Sequence, residues 1–408
     1  MSYHFVMSAK NYDFILIGGG IVGLTVAREL KKRVPAATIA ILEKENRLGV
    51  HASGRNSGVL HCGIYYGADT RKAKVCAEGA RRMMAYADEF VINYNKTGKV
   101  ILATDEAQLL TVDRLMKNAA DNGITARRID QQELHALEPA AADGVAAIHC
   151  PDTAVIDSPA VLAKLREQLT AQGIEFHLGT QAVKLENKNT IATNQGSFSF
   201  GYLFNCAGAY ADVVARYFSL AADYTLVPFK GIYWKLSPAA NHLIRGNIYP
   251  VPDVSLPFLG THLTRVISGD VYIGPTAIPA LGRENYGILQ GAHLGEAIGI
   301  GFELACMYVR NQNNFRRLAH TELAKYRKDV FLKTAQKLCP AVRAEDMVPT
   351  TKSGIRPQLI NRKTGKLEMD YIFERTENSL HVLNAISPAF TSSFAFAEMI
   401  VNEARLNL

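Results

Sequence analysis

The sequence predicts an α/β chain in two parts: a domain on a parallel sheet, and a second α+β domain on a mainly antiparallel sheet. Three observations predict it. A short apolar run, Asp13-Phe14-Ile15-Leu16-Ile17, ends in Gly18-Gly19-Gly20-Ile21-Val22-Gly23 and opens into a helix-like stretch from Leu24 to Leu30. A second apolar run, Thr38 to Leu42, stops at Glu43. Much further on, residues 226–280 hold four strand-like runs broken by glycine and proline.

Gly18, Gly20 and Gly23 stand in a G-x-G-x-x-G pattern. The first glycine makes the tight turn, the second lets backbone approach a pyrophosphate, and the third lets helix and strand pack closely. The pyrophosphate then rests on free N–H groups at the helix N-terminus, those of Ile21 and Val22 among them. A glycine string alone is weak evidence, but this one follows a strand, opens a helix and is answered by an acid. Glu43 lies 43 − 23 = 20 residues past the last glycine, where a partner for ribose hydroxyls is expected, with Lys44 beside it. The first domain is therefore Rossmann-like.

Bulk properties exclude several classes. A chain of 408 residues accommodates two domains, and 48% hydrophobic with 20% charged residues describes a globular protein, not a disordered one. The nearest approach to a bilayer-spanning run, Ile298 to Val309, is short and carries Glu303. The first ten residues have neither a charged leader nor an apolar core, so they read as no signal peptide, and Met7 could serve as an alternative start. Cytoplasmic residence is expected, with a peripheral place on the inner face of the membrane as its variant. The six cysteines (62, 76, 150, 206, 306 and 339) include no C-x-x-C pair, which argues against zinc, a redox dithiol or a disulfide framework, and no metal is expected. Net charge is +7, densest between Arg316 and Lys337, which reads as a solvated helical face or a basic surface on anionic lipid. Nothing resembles a nucleic-acid module.

In chain order, the loop after Glu43 is dense in small and hydrogen-bonding residues, with Ser53, Arg55, Asn56, Ser57 and Gly58 placed to cross the cofactor. Residues 71–90 read as a helix. A second domain begins near Gly98 to Ala103, with a helix over 105–121 and a turn at Asn122-Gly123. Ser158-Pro159 is expected to cap a helix reaching Ala171, followed by strands at 174–178 and 181–185. A buried strand, Tyr202 to Cys206, ends at Ala207-Gly208 before a helix. The roof runs are 227–234, 246–252, 258–263 and 270–275, and residues 284–340 read as helices without a chemical motif. Two late motifs, Ser353-Gly354-Ile355-Arg356-Pro357 and Asn384 to Ser393, return to the site, the second opening a helix from about Thr391 to Arg405. There is no internal repeat and no second G-x-G-x-x-G.

The fingerprint, Leu-Glu-Lys-Glu at 42–45 and Arg-Asn-Ser-Gly-Val-Leu-His-Cys-Gly-Ile-Tyr-Tyr at 55–66 resemble the D-amino-acid-oxidase-type flavoproteins. More narrowly they resemble the L-2-hydroxyglutarate oxidase/dehydrogenase family, over nearly the whole chain. That family's loop usually reads His-Asn-Ser-Gly-Val-Ile-His, and Arg55 here replaces the first histidine. The resemblance implies FAD, and with a single nucleotide fingerprint no nicotinamide is expected. It also implies that backbone near Val183 meets the adenine, that Ala207-Gly208 and Gly354 border the flavin, and that Ala389, Phe390 and Thr391 aim free amides at its O2/N1 edge. The expected FAD domain is discontinuous, 10–93, 150–224 and 346–408, and 94–149 with 225–345 form the substrate domain.

Oxidising an alcohol on a flavin requires an aligned C–H, an anchored carboxylate and a base for the hydroxyl proton. Arg356 is the expected anchor, because a guanidinium holds a carboxylate with two parallel hydrogen bonds. His61 and His262 compete as base. Lys230, Tyr65, Tyr249 and Arg265 are candidates for a second carboxylate. The reaction expected is FAD-dependent oxidation of a 2-hydroxy acid, foremost L-2-hydroxyglutarate to 2-oxoglutarate, with electrons passing to oxygen or a membrane quinone. An amine or amino-acid oxidase on the same scaffold, and a flavin-bound sensor without turnover, are the alternatives.

Overall fold

A computed structural model describes residues 10–253, 258–288 and 290–406. The leader reading over the first residues, and Met7, lie outside them. The opening strand Lys10–Ile17 runs parallel to Ile39–Leu42 on one side and Gly196–Asn205 on the other, and Glu175–His177 and Ser379–Val382 extend the same parallel core. Alternate residues of that strand feed two cores, as the two-residue period of a strand requires. Phe14 and Leu16 pack under helices Ile21–Arg33, Arg71–Glu89, Ser158–Ala171 and Ala389–Glu403, and Ile15 and Ile17 pack on the opposite face with Val214 and Phe218. A strand buried on both faces must be apolar throughout, which is why the run after Asp13 shows no alternation.

The second sheet has nine strands, all antiparallel neighbours except Asn247–Pro250, which runs parallel to Lys99–Ala103. Its longest pair is Tyr224–Leu236 with Met347–Asn361. Residues 347–361 thus belong to the roof sheet, although the sequence reading places them with the nucleotide domain. Gly354 and Pro357 both sit inside this strand, where Gly354 faces Gly231 and Arg356 faces Phe229. The run at 258–263 is shorter than expected, with only His262–Arg265 pairing as strand. Asp157, not Ser158, caps the helix Ser158–Ala171, its carboxylate accepting from the Ala160 N–H, and Pro159 stands in the first turn. Among the described residues, 284–340 contain three α-helices, Leu294–Arg310, Phe315–Ala324 and Lys328–Gln336.

Candidate active site

A cavity of about 720 Å³ lies between the two sheets and runs from the glycine fingerprint to the roof. Its nucleotide end is shaped by absent side chains. Gly18 has φ +108°, and a Cβ there would lie 2.5 Å from the Cys206 carbonyl oxygen. A Cβ on Gly23 would lie 2.0 Å from the Gly18 oxygen, so only glycine lets the helix Ile21–Arg33 start against the turn. Gly20 borders the cavity with a single close neighbour, Ser53 Oγ at 3.0 Å from the missing Cβ, which leaves room for a pyrophosphate. Glu43 is buried; one carboxylate oxygen accepts the Gly19 N–H at 2.7 Å and the other the Glu45 N–H at 2.9 Å. The acid is thereby fixed at the strand end with outward lone pairs for ribose hydroxyls.

The loop 53–58 is folded by Asn56. Its amide donates to the Ser53 carbonyl at 2.7 Å, and its oxygen accepts from the Gly58 N–H at 2.8 Å and the Ser158 hydroxyl at 2.9 Å. Arg55 donates to the Val50 carbonyl at 2.9 Å and stacks 3.9 Å from the Tyr286 ring centroid. Opposite the fingerprint, the closing helix Ala389–Glu403 starts without a side-chain cap, and its first residues line the cavity. Thr391 ties that helix to the loop, donating to the Val59 carbonyl at 3.2 Å and accepting the His61 N–H at 3.3 Å. An uncapped helix N-terminus at a cavity wall is a site for negative charge.

All but six of the residues expected at the site line this cavity. Gly18, Gly20, Ile21, Val22, Glu43, Lys44, Ser53, Arg55, Asn56 and Ser57 form one end, with Ala207 and Gly208 beside them. Gly354, Arg356, Ala389, Phe390, Thr391, His61, Tyr65 and His262 complete the wall. Gly23 and Gly58 stand behind it for steric reasons, a Cβ on Gly58 falling 2.8 Å from the Ile156 oxygen. The other four are displaced for reasons of strand phase and pairing. Val183 itself is 48% exposed, while the backbone just before it, at Thr180, Gln181 and Ala182, borders the cavity. Lys230 is buried away from the cavity, its ammonium 2.5 Å from the Gly287 carbonyl. Arg265 spends its guanidinium on the Asn241 and Ile244 carbonyls at 3.2 and 3.1 Å. Tyr249 lies one layer back, stacked on His262 at 3.8 Å between ring centroids.

At the roof end, three buried polar groups of cavity-lining residues have no hydrogen-bond partner among the described residues: Arg356 Nη1, His61 Nδ1 and the Tyr65 hydroxyl. Such groups are costly unless something pairs with them, so they mark where a polar ligand sits. His262 differs. Its Nδ1 stands 2.9 Å from the Gly260 carbonyl, which can only accept, so that nitrogen carries the proton and Nε2 keeps its lone pair. Burial, then the Lys99, His262 and Arg356 neighbours, draw the His61 pKa down to about 3; burial and the Arg356 and Lys99 cations do the same to His262 against the pull of the Gly260 carbonyl. Both rings are neutral at working pH.

Several lining residues belong to no motif singled out in the sequence. Lys72, Tyr210, Tyr233, Arg283 and Tyr286 all line the cavity, brought there by helix placement, by the roof strand Tyr224–Leu236 and by the loop at 281–288. Arg283 is held by the buried Asp212, Nη2 to Oδ2 at 3.0 Å. Glu45, His51 and Glu284 bring their ligand atoms within 4.8 Å of one another, a spacing that suits a metal ion, but the Lys44 ammonium lies 2.5 Å from both carboxylates and supplies the positive charge itself.

A Rossmann-like sheet with a glycine-built phosphate cradle, an acid at the second strand and a roofed cavity above a helix N-terminus define a flavin-dependent oxidoreductase. The chain belongs to the FAD dependent oxidoreductase family (DAO), whose pattern it matches over residues 13–403. It is 37% identical over 394 residues to the L-2-hydroxyglutarate dehydrogenase of Indibacter alkaliphilus, covering 94% of this chain and 96% of that one. It is 34% identical over 400 residues to the L-2-hydroxyglutarate dehydrogenase of Escherichia coli, covering 97% and 93%. Among solved structures, L-alpha-glycerophosphate oxidase from Mycoplasma pneumoniae with FAD bound superposes with a TM-score of 0.78 at 19% identity, over 98% of this chain and 96% of that one. The protein is an FAD-dependent oxidoreductase.

The cradle allows a direct test. Gly23→Val forces a side chain into the Gly18 carbonyl, and the purified variant is expected to carry almost no flavin, read as the ratio of 450 to 280 nm absorbance (both wavelengths roughly those at which flavin and protein absorb). Retention of stoichiometric FAD would sink the steric account.

Proposed function

We propose that the protein oxidises L-2-hydroxyglutarate to 2-oxoglutarate. The observation that carries this reading is the set of unpaired polar groups at the roof, Arg356, His61 and Tyr65, gathered on one cavity wall beside a histidine with a free lone pair. The names of the two relatives point to the same substrate. Arg356 binds the carboxylate next to the reacting carbon through two parallel hydrogen bonds. His262, fixed by the Gly260 carbonyl and the Tyr249 ring, takes the hydroxyl proton at Nε2, and His61 orients the same hydroxyl from the other side. FAD, when bound against this wall, would supply the two-electron acceptor for the hydride leaving the substrate carbon. Anaerobic mixing with L-2-hydroxyglutarate is expected to bleach the flavin band near 450 nm (roughly the flavin absorbance maximum) within the instrument dead time or a few seconds. No bleaching with this or a related 2-hydroxy acid would overturn the reading, and bleaching with amino acids alone would favour the amine-oxidase alternative.

Electrons then leave to oxygen or to a quinone in a membrane, and one surface favours the latter. Leu294, Ile298, Phe302 and Val309 are between 67% and 80% exposed along one side of the helix Leu294–Arg310. The two acids of that helix turn away, Glu296 to Arg283 at 3.0 Å and Glu303 to Arg362 at 2.6 Å. At its C-terminus Arg310 is exposed, and Arg316 caps the Tyr308 and Val309 carbonyls at 2.8 and 2.9 Å. An apolar stripe edged by cations rests on an anionic bilayer surface. No helix among the described residues is long and apolar enough to cross a membrane. Co-sedimentation with vesicles of phosphatidylcholine and phosphatidylglycerol is expected, and Ile298→Glu with Phe302→Glu should release the protein. Equal binding by the double variant would rule this face out.

A further inference from the structure

A hydroxy acid with two carboxylates needs two cations in the cavity, and the sequence candidates for the second, Lys230 and Arg265, are committed elsewhere. Most other cavity cations are engaged too. Lys44 is paired with Glu45 and Glu284, Arg283 with Asp212 and Glu296, and Arg55 is held by the Val50 carbonyl and the Tyr286 ring. Arg114 reaches the lining from an exposed position. Lys72 is different.

Lys72 is the second residue of the helix Arg71–Glu89; it is only 5% exposed, and it lines the cavity. Its ammonium has no hydrogen-bond acceptor among the described residues, and it lies over two aromatic faces, Tyr66 at 5.6 Å and Tyr371 at 5.9 Å from the ring centroids. The neighbouring carboxylate, Asp370, is taken up by backbone: its oxygens accept N–H groups from Arg71 at 2.7 Å, Lys72 at 3.1 Å and Tyr371 at 2.8 Å. Asp370 therefore pins the start of the helix; its charge reaches the ammonium through space, but the two make no hydrogen bond. Burial draws the Lys72 pKa down to about 8, with Asp370 pulling the other way. A buried cation without a partner is destabilising, and a methionine of similar length would pack there at lower cost. An ammonium kept in that position awaits an anion.

We propose that Lys72 is the second carboxylate-binding residue of the cavity, taking the distal carboxylate of a dicarboxylic 2-hydroxy acid while Arg356 takes the proximal one. This rests on the substrate class proposed above and names the residue that would set it. Neutral tyrosines could hydrogen-bond such a group, but a paired ammonium is what separates a dicarboxylate from a monocarboxylate of the same length.

The test uses the FAD-loaded enzyme and two unreactive probes, glutarate and butyrate, titrated by their perturbation of the oxidised flavin spectrum. Wild type is expected to bind glutarate about 10- to 100-fold more tightly than butyrate. Lys72→Met is expected to remove that preference by weakening glutarate alone, and Lys72→Arg to keep much of it. Lys72→Gln retains a polar tip without the charge; it should reproduce the split where methionine impairs folding. A preference for glutarate that survives both neutral variants overturns the proposal. So does an equal loss for both probes, or a shift in flavin reduction potential with the preference intact, which would place the ammonium against the flavin instead. The two readings fail separately. If wild-type enzyme bleaches with L-2-hydroxyglutarate while the neutral variants keep their preference, only the role of Lys72 falls. If wild type does not bleach but the preference vanishes in the variants, the anion site stands and the substrate assignment falls.

Discussion

Replacing Arg356 by methionine should lower kcat/KM for L-2-hydroxyglutarate by about a thousandfold, the scale of removing one partner from a buried, hydrogen-bonded charge pair. The guanidinium sits mid-strand opposite Phe229, beside the Phe258 ring at 5.8 Å, and one of its nitrogens has no partner in the protein. Burial draws its pKa down, and the smaller upward pulls of Tyr233, Glu322 and Tyr249 do not offset it. Methionine keeps much of the packing volume and removes an uncompensated charge, so the variant should unfold at the same temperature as wild type or above it. Lysine should recover only part of the lost activity, since a point charge cannot make the two parallel bonds. Steady-state kinetics and thermal melts together decide the matter. A variant within tenfold of wild type in kcat/KM, or one that is inactive only because it melts early, would remove Arg356 from the anchor role.

His262→Asn should lower the rate of flavin reduction by about a hundredfold or more, with a smaller change in substrate affinity. Asparagine can keep a hydrogen bond to the Gly260 carbonyl but offers no basic nitrogen. His61→Asn should act mainly on binding and orientation, because the His61 ring has no backbone partner fixing its tautomer. The pH dependence follows from the same geometry. The active form of His262 is the neutral ring, and its pKa in the free enzyme lies near 3, so that form is present across the neutral range and is lost only as pH falls toward that value. The kcat/KM profile should therefore lack the fall near pH 6.5 (roughly the unperturbed histidine value) that a solvated histidine base would produce. In the complex, bound carboxylates stand beside Arg356 and the histidines, and their negative charge moves both rings back toward that value. Stopped-flow flavin reduction between about pH 5 and 9 measures all of this. A mild effect of both substitutions would instead fit hydride removal from a neutral amine, which needs no histidine base.

Much of the site is legible in the sequence because it is made of local geometry. The fingerprint is a turn, and a turn needs its glycines at fixed offsets whatever surrounds it; Gly18 and Gly23 are excluded from carrying side chains by atoms within a few residues or on the adjoining strand. Glu43 follows from counting along one strand–helix–strand unit. Asn56 and Gly58 fold their own loop through bonds spanning two or three residues. His61, Arg356 and the start of the closing helix were found through family resemblance, and the fold brings all three to one cavity.

The misplaced residues share a different cause. Lys230 and Arg265 are cations at the right place along roof strands, but a strand sends alternate side chains to opposite faces, and one position of phase decides between cavity and packing. Both point where carbonyls wait for them, at Gly287, Asn241 and Ile244. Arg356 is presented from a strand although Gly354 and Pro357, residues that usually break strands, stand beside it; both are tolerated within a long antiparallel pair.

By itself, then, the sequence determines a flavin-binding α/β domain, the strand–turn–helix that holds the pyrophosphate, and the short list of groups able to oxidise an alcohol. Those properties depend on residue spacing of a few positions and on which side chains can carry charge or protons. Only the tertiary structure decides which of those groups share a cavity, that Tyr249 stacks on His262 behind the cavity wall, and that Lys72 stands in the wall with no hydrogen-bond acceptor among the described residues. The physical reason is that burial and pairing are set by contacts between distant segments. An ammonium on a helix is solvated, neutralised or left waiting according to what packs against it, and nothing in the residues around Lys72 records that Asp370 is already taken.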